Sequence, residues 1–377
     1  MELTKDILQY IDDHKQEAFD LLVELAQIPA PSNQEEKRAA FIKDWLEKQG
    51  AEGVYIDEAL NVIWPVGCTE SDAIAVYMAH TDVVFPDLEP LPLKIEDGWI
   101  CCPGVGDDTA NVVALLMVAK YIAENKIVPK EKGLLLVANS GEEGLGNLKG
   151  SRKIVEDFGK QIVEFTSFDG GGSFAVNKAV GSKRYKVTVR TEGGHSYSRF
   201  GNRNAIAYLS SLISALYDMK VPEKGKTTYN VGTISGGTSV NTIAQHCEML
   251  YEVRSDELDS LKLMEQHFMA AVEFYRTKGI DVEVELVGDR PCAANVDPVQ
   301  QKALQDRVAG YIQEYYGQEI KFTSGSTDCN IPFSVGIPSI CYGCYEGKGG
   351  HTREEAVKID SLYPGLKVAF ASILYHF

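Results

Sequence analysis

Ala73-Ile74-Ala75-Val76-Tyr77-Met78-Ala79-His80-Thr81-Asp82 is an apolar run that stops abruptly at an imidazole, a hydroxyl and a carboxylate. A short apolar run of this kind reads as a strand buried on both faces, the pattern of a parallel sheet. Later runs repeat the arrangement. Gly133 to Ala138 leads to Ser140-Gly141-Glu142-Glu143-Gly144, Val163 to Phe168 precedes Asp169-Gly170, and Ile340 to Cys344 leads towards Gly350-His351-Thr352; Gly106-Asp107-Asp108 is a further acidic cluster. In an open α/β sheet the loops at the carboxyl ends of the strands meet around a crevice, so side chains at these ends converge. Histidine nitrogen and carboxylate oxygen are the donors that zinc takes at about 2.0–2.2 Å, and several strand ends together can hold two ions. Paired carboxylates such as Glu142-Glu143 repel one another when buried, which calls for solvent or a cation. The residues read as a two-metal hydrolase.

From about residue 5 to 180 the apolar runs alternate with helical periodicity. Helices are predicted near 4–28, 34–50 and 108–125, and strands near 54–57, 73–79, 133–139 and 162–168, which implies an α/β fold: a mostly parallel sheet with helices on both faces. Lys183-Arg184-Tyr185-Lys186-Val187-Thr188-Val189-Arg190 then alternates with period two, the signature of a half-exposed strand. A helix near 202–219, strands near 228–235 and 246–254, a helix over 256–278 and a strand over 281–287 complete an antiparallel α+β block. After Pro291 the first pattern returns, with a helix over 298–317, strands near 319–323 and 337–344, and a last helix over 360–376. The expected organisation is a catalytic metal-binding domain, 1–181 and 292–377, carrying an inserted lid and dimerisation domain, 182–291.

A net charge of -17 and a pI near 4.9 argue against nucleic acid or an anionic membrane as partner, because phosphate binding draws on clustered Lys and Arg. The start, Met1-Glu2-Leu3-Thr4-Lys5-Asp6, has no basic segment followed by an apolar one, and the expectation is a cytoplasmic protein. Eight scattered cysteines in a chain of 377 residues read as reduced core residues. Cys341-Tyr342-Gly343-Cys344 lacks the second pair that a structural zinc site needs, and its flank from Ile337 to Tyr345 reads as a buried strand.

His80-Thr81-Asp82-Val83-Val84, Gly106-Asp107-Asp108, Ser140-Gly141-Glu142-Glu143, Asp169-Gly170-Gly171, Gly193-Gly194-His195 and Gly350-His351 resemble, in order and spacing, the dinuclear-zinc peptidase and deacylase family that includes peptidase T, carboxypeptidase G and the aminoacylases. The resemblance covers essentially the whole chain. It implies that His80, Asp107 and Asp169 hold one ion and Asp107, Glu143 and His351 the other, with Asp107 bridging. It further implies zinc, with cobalt or manganese accepted by the same donors, and a metal-bound hydroxide as nucleophile. Glu142 matches the general base, and Asp82 the carboxylate that fixes the tautomer and orientation of His80. His195 matches a histidine that polarises the scissile carbonyl, often across a homodimer interface formed by the inserted domain. Asn241 resembles a lid-loop asparagine facing substrate, and Arg290 an arginine that binds a substrate carboxylate. Arg254 matches a recurrent strand-end arginine of structural role.

Two departures from the family pattern stand out. Asp107-Asp108-Thr109 replaces Asp-x-Lys, and Gly104-Val105-Gly106 replaces Gly-Arg-Gly. Asp at 169, where carboxypeptidase and deacylase relatives tend to have Glu, implies the peptidase T-like branch and a cytoplasmic exopeptidase that reads the amino end of short peptides. The alternatives are an N-acyl-amino-acid amidohydrolase or carboxypeptidase, and a ligand-binding relative without activity.

Overall fold

The computed structural model describes residues 2–68, 73–172 and 174–377. They fall into two compact units, Met1–Ala179 with Ala294–Phe377, and Val180–Ala293.

The first unit is built on an eight-stranded sheet in the order Tyr55–Ile56, Val62–Val66, Gly133–Asn139, Ile74–His80, Ile162–Phe168, Ser339–Tyr342, Phe174–Ala179 and Lys321–Gly325. The four central strands run parallel to one another, and antiparallel pairings join both flanks to them. Every residue of Ile74–His80 and of Gly133–Asn139 is buried. Side chains alternate across a strand, so Ala75, Tyr77 and Ala79 join the core under the helices Lys5–Ala26, Asn111–Asn125 and Ile359–Leu374, while Ile74, Val76 and Met78 are buried on the opposite face. Chemistry drawn in the sequence thus explains the helices too: Thr4 caps the first through its hydroxyl, and Asp297 with Pro298 starts Pro298–Tyr316. A small separate sheet pairs Trp99–Cys101 with Ala356–Lys358.

The parallel register sets the chemistry. His80 pairs with Asn139, Met78 with Ser167, and Phe168 with Tyr342, so the carboxyl ends of these strands finish at one level.

At the other end of the sheet Glu164 accepts hydrogen bonds from Arg307 Nη2 at 2.9 Å and contacts His376 Nε2 at 3.1 Å and Lys132 Nζ at 3.5 Å. Burial alone would raise its pKa, but His376, Arg307 and Lys132 overrule that and hold it at about 2. A carboxyl depressed in the folded state contributes stability that is complete above the ordinary carboxylate range and is lost as pH falls through about 2. Replacing Glu164 by Gln is expected to remove about 3 kcal/mol at neutral pH. Urea unfolding at stepped pH measures this, and the variant should show a flatter decline between about pH 4.5 and pH 2. An unchanged midpoint at pH 7 would discard the account.

The second unit is a four-stranded antiparallel sheet in the order Thr227–Gly236, His246–Ser255, Gly181–Arg190 and Asp281–Arg290. Its period-two pattern turns Tyr185, Val187, Val189, Met249, Tyr251 and Val253 towards the helices Ala205–Tyr217 and Leu258–Thr277. Charged residues occupy the alternate positions and pair across strands, as Arg184 does with Glu252 and Lys186 with Glu248. Arg254 is likewise bonded to Glu252.

Several elements lay outside the sequence expectation. They include the strands Val62–Val66, Lys94–Glu96, Trp99–Cys101 and Phe174–Ala179, and the helices Lys149–Phe158 and Asn330–Ser334. The helix expected from 108 starts at Asn111, after a wide turn over Val105–Ala110. Cys341 and Cys344 are buried in and just after Ser339–Tyr342. Among the described residues no helix is long and apolar enough to cross a membrane.

Candidate metal centre

All the strand-end acids and histidines meet within the first unit. His80, Asp107, Asp108 and Asp169 form one group of potential donors, His80, Glu142 and Glu143 a second, and Asp107, Glu143 and His351 a third, each with donor atoms within 4.8 Å of one another. Asp107 lies between the two imidazoles, with one carboxylate oxygen for each: Oδ1 is 3.0 Å from His80 Nε2 and Oδ2 is 3.0 Å from His351 Nε2. Glu143 Oε1 is 2.9 Å from His351 Nε2, and Asp169 Oδ1 is 3.9 Å from His80 Nε2. Two imidazoles thus face five carboxylates.

That excess of acid is visible in the electrostatics. Burial and the neighbouring Asp107 charge push the Asp169 carboxyl up to about 7. Asp107 goes the other way: burial would raise it, but bonds to His351 and His80 hold it below the usual carboxylate range. His351 is pushed up to about 11 by its bonds to Asp107 and Glu143. Burial pulls the His80 imidazole down, yet Asp108, Asp107 and Asp82 together carry it well above its ordinary value. Oxygen and nitrogen donors of this charge suit divalent cations, and the residues fit such ions.

Asp108 serves differently from its neighbour. Its carboxylate accepts the His80 backbone amide at 2.9 Å and Asn111 Nδ2 at 2.6 Å, so it fixes the strand end. Asp82 also works mainly through backbone. Its carboxylate accepts the amides of Glu142 at 3.0 Å and Glu143 at 2.9 Å and the Ser32 hydroxyl at 2.7 Å. His80 Nδ1 is 3.0 Å from the Asp82 carbonyl oxygen and 3.5 Å from its carboxylate, so the carbonyl makes the closer contact with the ring. A hydrogen on Nδ1 directed at that carbonyl would leave the Nε2 lone pair for an ion held with Asp107.

Three buried side chains supporting these loops escaped the sequence reading. Arg38 donates to the carbonyls of Ile28 and Thr81 and to the Thr109 hydroxyl, pinning the segment between His80 and Asp82. Asp328 accepts from Asn139 Nδ2 at 2.6 Å beneath the loop that carries Glu142. Glu355 accepts three amides of the loop that carries Asp107. Each acts through backbone groups or amides rather than through a recognisable spacing.

The remaining three candidates belong to the second unit. Gly194–His195 pairs with Thr242–Ile243 in a two-stranded ribbon, which places His195 beside Asn241, whose carbonyl accepts the Ser196 amide at 3.0 Å. Both are exposed. The amides of Tyr197 and Ser198 donate to His195 Nδ1 at 3.2 and 3.4 Å. An Nδ1 that accepts places the ring proton on Nε2, making that nitrogen a donor. Arg290 is not with them. It pairs with Ser182, whereas the ribbon lies beyond Arg190 at the other end of the same strand, about 26 Å away at ~3.3 Å per residue.

The sequence matches the profile of peptidase family M20/M25/M40 over residues 76–375. Solved structures of similar fold include a tripeptidase from Staphylococcus aureus Mu50, with a TM-score of 0.76 and 22% identity over 96% of this chain and 98% of that one. The aminopeptidase PepT from Bacillus cereus ATCC 10987 gives a TM-score of 0.73 and 19% identity over 95% and 98%. Among sequence relatives, the [LysW]-lysine/[LysW]-ornithine hydrolase of Sulfurisphaera tokodaii is 22% identical over 92% of each chain.

Proposed function

The chain belongs to the M20/M25/M40 family of metallopeptidases, and from that premise we propose that it is a cytoplasmic two-zinc exopeptidase that removes residues from the amino end of short peptides. The observation that carries the proposal is Asp107, one oxygen directed at each of two imidazoles at 3.0 Å, with Asp169 and Glu143 at the flanks. His80, Asp107 and Asp169 would hold one ion and Asp107, Glu143 and His351 the other. Bound ions supply a polarised water and a Lewis acid for the scissile carbonyl. Glu142, on the loop whose amides are docked on Asp82, takes the proton from the attacking water and passes it to the leaving nitrogen. His195 donates from Nε2 to the carbonyl oxygen as negative charge builds there. Asn241 lies next to His195 on the ribbon and contacts the peptide backbone.

Arg290 offers a bidentate fork to a peptide carboxylate. A tripeptide spans only about 10 Å, so His195 and Arg290 of one chain cannot both touch it. The proposed active form is therefore a homodimer through the second unit, with the two residues in one site drawn from different subunits.

A free tripeptide should be turned over, and its N-acetylated form should lose about 10²-fold or more in kcat/KM, because a site built around an ammonium leaves its partners unpaired when the amine is blocked. Steady-state kinetics on matched pairs, with metal supplied, decides. Preference for acylated amino acids would point to the amidohydrolase reading instead.

A further inference from the structure

Glu355 is 2% exposed, and its carboxylate accepts three backbone N–H groups from one short loop. Gly104 donates to Oε2 at 2.9 Å, while Gly106 and Asp107 donate to Oε1 at 2.8 and 2.7 Å. The main chain of Glu355 adds to the tie, since its carbonyl accepts the Cys102 amide at 3.1 Å and Ala356 pairs with Cys101. On its other sides the loop is packed by Val83, against which Gly104 rests, and by the Tyr345 ring, against which Gly106 rests. Glu355 stands four residues beyond His351, whose Nε2 is 3.0 Å from Asp107 Oδ2.

Resting on the two-ion reading of the cluster, we infer that Glu355 is the positioning residue for the ion held by Asp107, Glu143 and His351: it locks the backbone that carries Asp107 to the backbone that carries His351. Donor counting explains why the side chain must be a glutamate. Three N–H groups need both oxygens of a carboxylate. Glutamine would turn one of those oxygens into an NH2 that faces an N–H, donor against donor. Aspartate keeps both acceptors but is one methylene short, so the loop must move to reach it. In both variants Asp107 is displaced: the ion at His351 loses the fixed relation of Asp107 to His351, and the other, whose His80 remains held by Asp108 and by the Asp82 carbonyl, is disturbed only through the shared Asp107. Loss of such an orienting partner typically costs 10–100-fold in metal affinity.

The test is stepwise zinc and cobalt titration of the metal-free full chain by calorimetry, with the cobalt absorption spectrum as a second readout. Wild type, Glu355→Gln, Glu355→Asp, His351→Ala and the double variant Glu355→Gln/His351→Ala are compared. Glu355→Gln should weaken the binding step at His351 by about 10–100-fold and alter the cobalt bands, and should weaken the other step, which shares only Asp107 with it, by a smaller factor. In the His351→Ala background, where that step is already gone, adding Glu355→Gln should weaken the remaining ion only by that smaller factor. The inference fails if Glu355→Gln binds both ions as wild type does, or if it weakens the ion remaining in the His351→Ala background as much as it weakens the step at His351. Glu355→Asp, judged by the same criteria, decides the matter should Glu355→Gln not fold. A wild-type chain that takes up no ion would instead remove the two-ion reading itself.

Discussion

Glu142→Gln is expected to leave the metal content of the chain at the wild-type level while lowering kcat by about 10²–10⁴-fold, the usual contribution of a general base. The proposed mechanism gives two adjacent glutamates different tasks. Their amides dock side by side on the Asp82 carboxylate, and both side chains group with His80, but Glu143 also reaches His351, its Oε1 at 2.9 Å. Glutamine keeps the size and polarity of the side chain and cannot accept the proton. Elemental analysis with peptide turnover on the same preparation checks the result. Undiminished turnover in fully loaded variant would remove Glu142 from the mechanism.

Asp107→Ala should have the larger effect on the ions. One carboxylate serves both imidazoles, so its removal strips a donor from each proposed position at once. Metal content is expected to fall from two ions to one or none, and turnover by at least about 10³-fold, since the ions contribute several kcal/mol to stabilising transition-state charge. The neighbouring Asp108→Asn provides the contrast. Asp108 holds the His80 amide and Asn111 rather than facing both imidazoles, so that variant should shift stability more than stoichiometry. Equal metal loss in the two variants, measured by the same elemental analysis, would contradict the separate roles.

The parallel core was legible because its strands are buried on both faces and bounded by polar loops, a pattern that packing alone demands. The flanks were not. Val62–Val66 contains Pro65, which normally argues against a strand, but the neighbouring Tyr55–Ile56 reaches only Val62 and Ile63, so the missing amide of Pro65 costs no ladder bond there. Phe174–Ala179 is interrupted by Asn177-Lys178, and Lys149–Phe158 begins without a side-chain cap. Site residues divided in the same way. The proposed ligands advertise themselves at strand ends, but Arg38 and Glu355 act on backbone groups and Asp328 on a side-chain amide, all supplied by remote segments, which no local spacing encodes. Asp82 shows the mixed case: its place beside His80 was legible, whereas its docking of the Glu142 and Glu143 amides depends on the sheet register.

The second unit begins and ends on neighbouring rungs of its own sheet, Ser182 opposite Arg290. Paired residues in an antiparallel ladder lie about 5 Å apart, so the insert leaves and re-enters the first unit almost at a single point. Once that ladder has zipped, the host polypeptide is rejoined as if by a tight turn, and the entropy of closing a long excursion falls on the guest rather than on the host. Such a junction makes the guest a cassette: it can be shortened, exchanged or excised in favour of a brief bridge without redrawing the scaffold beneath it.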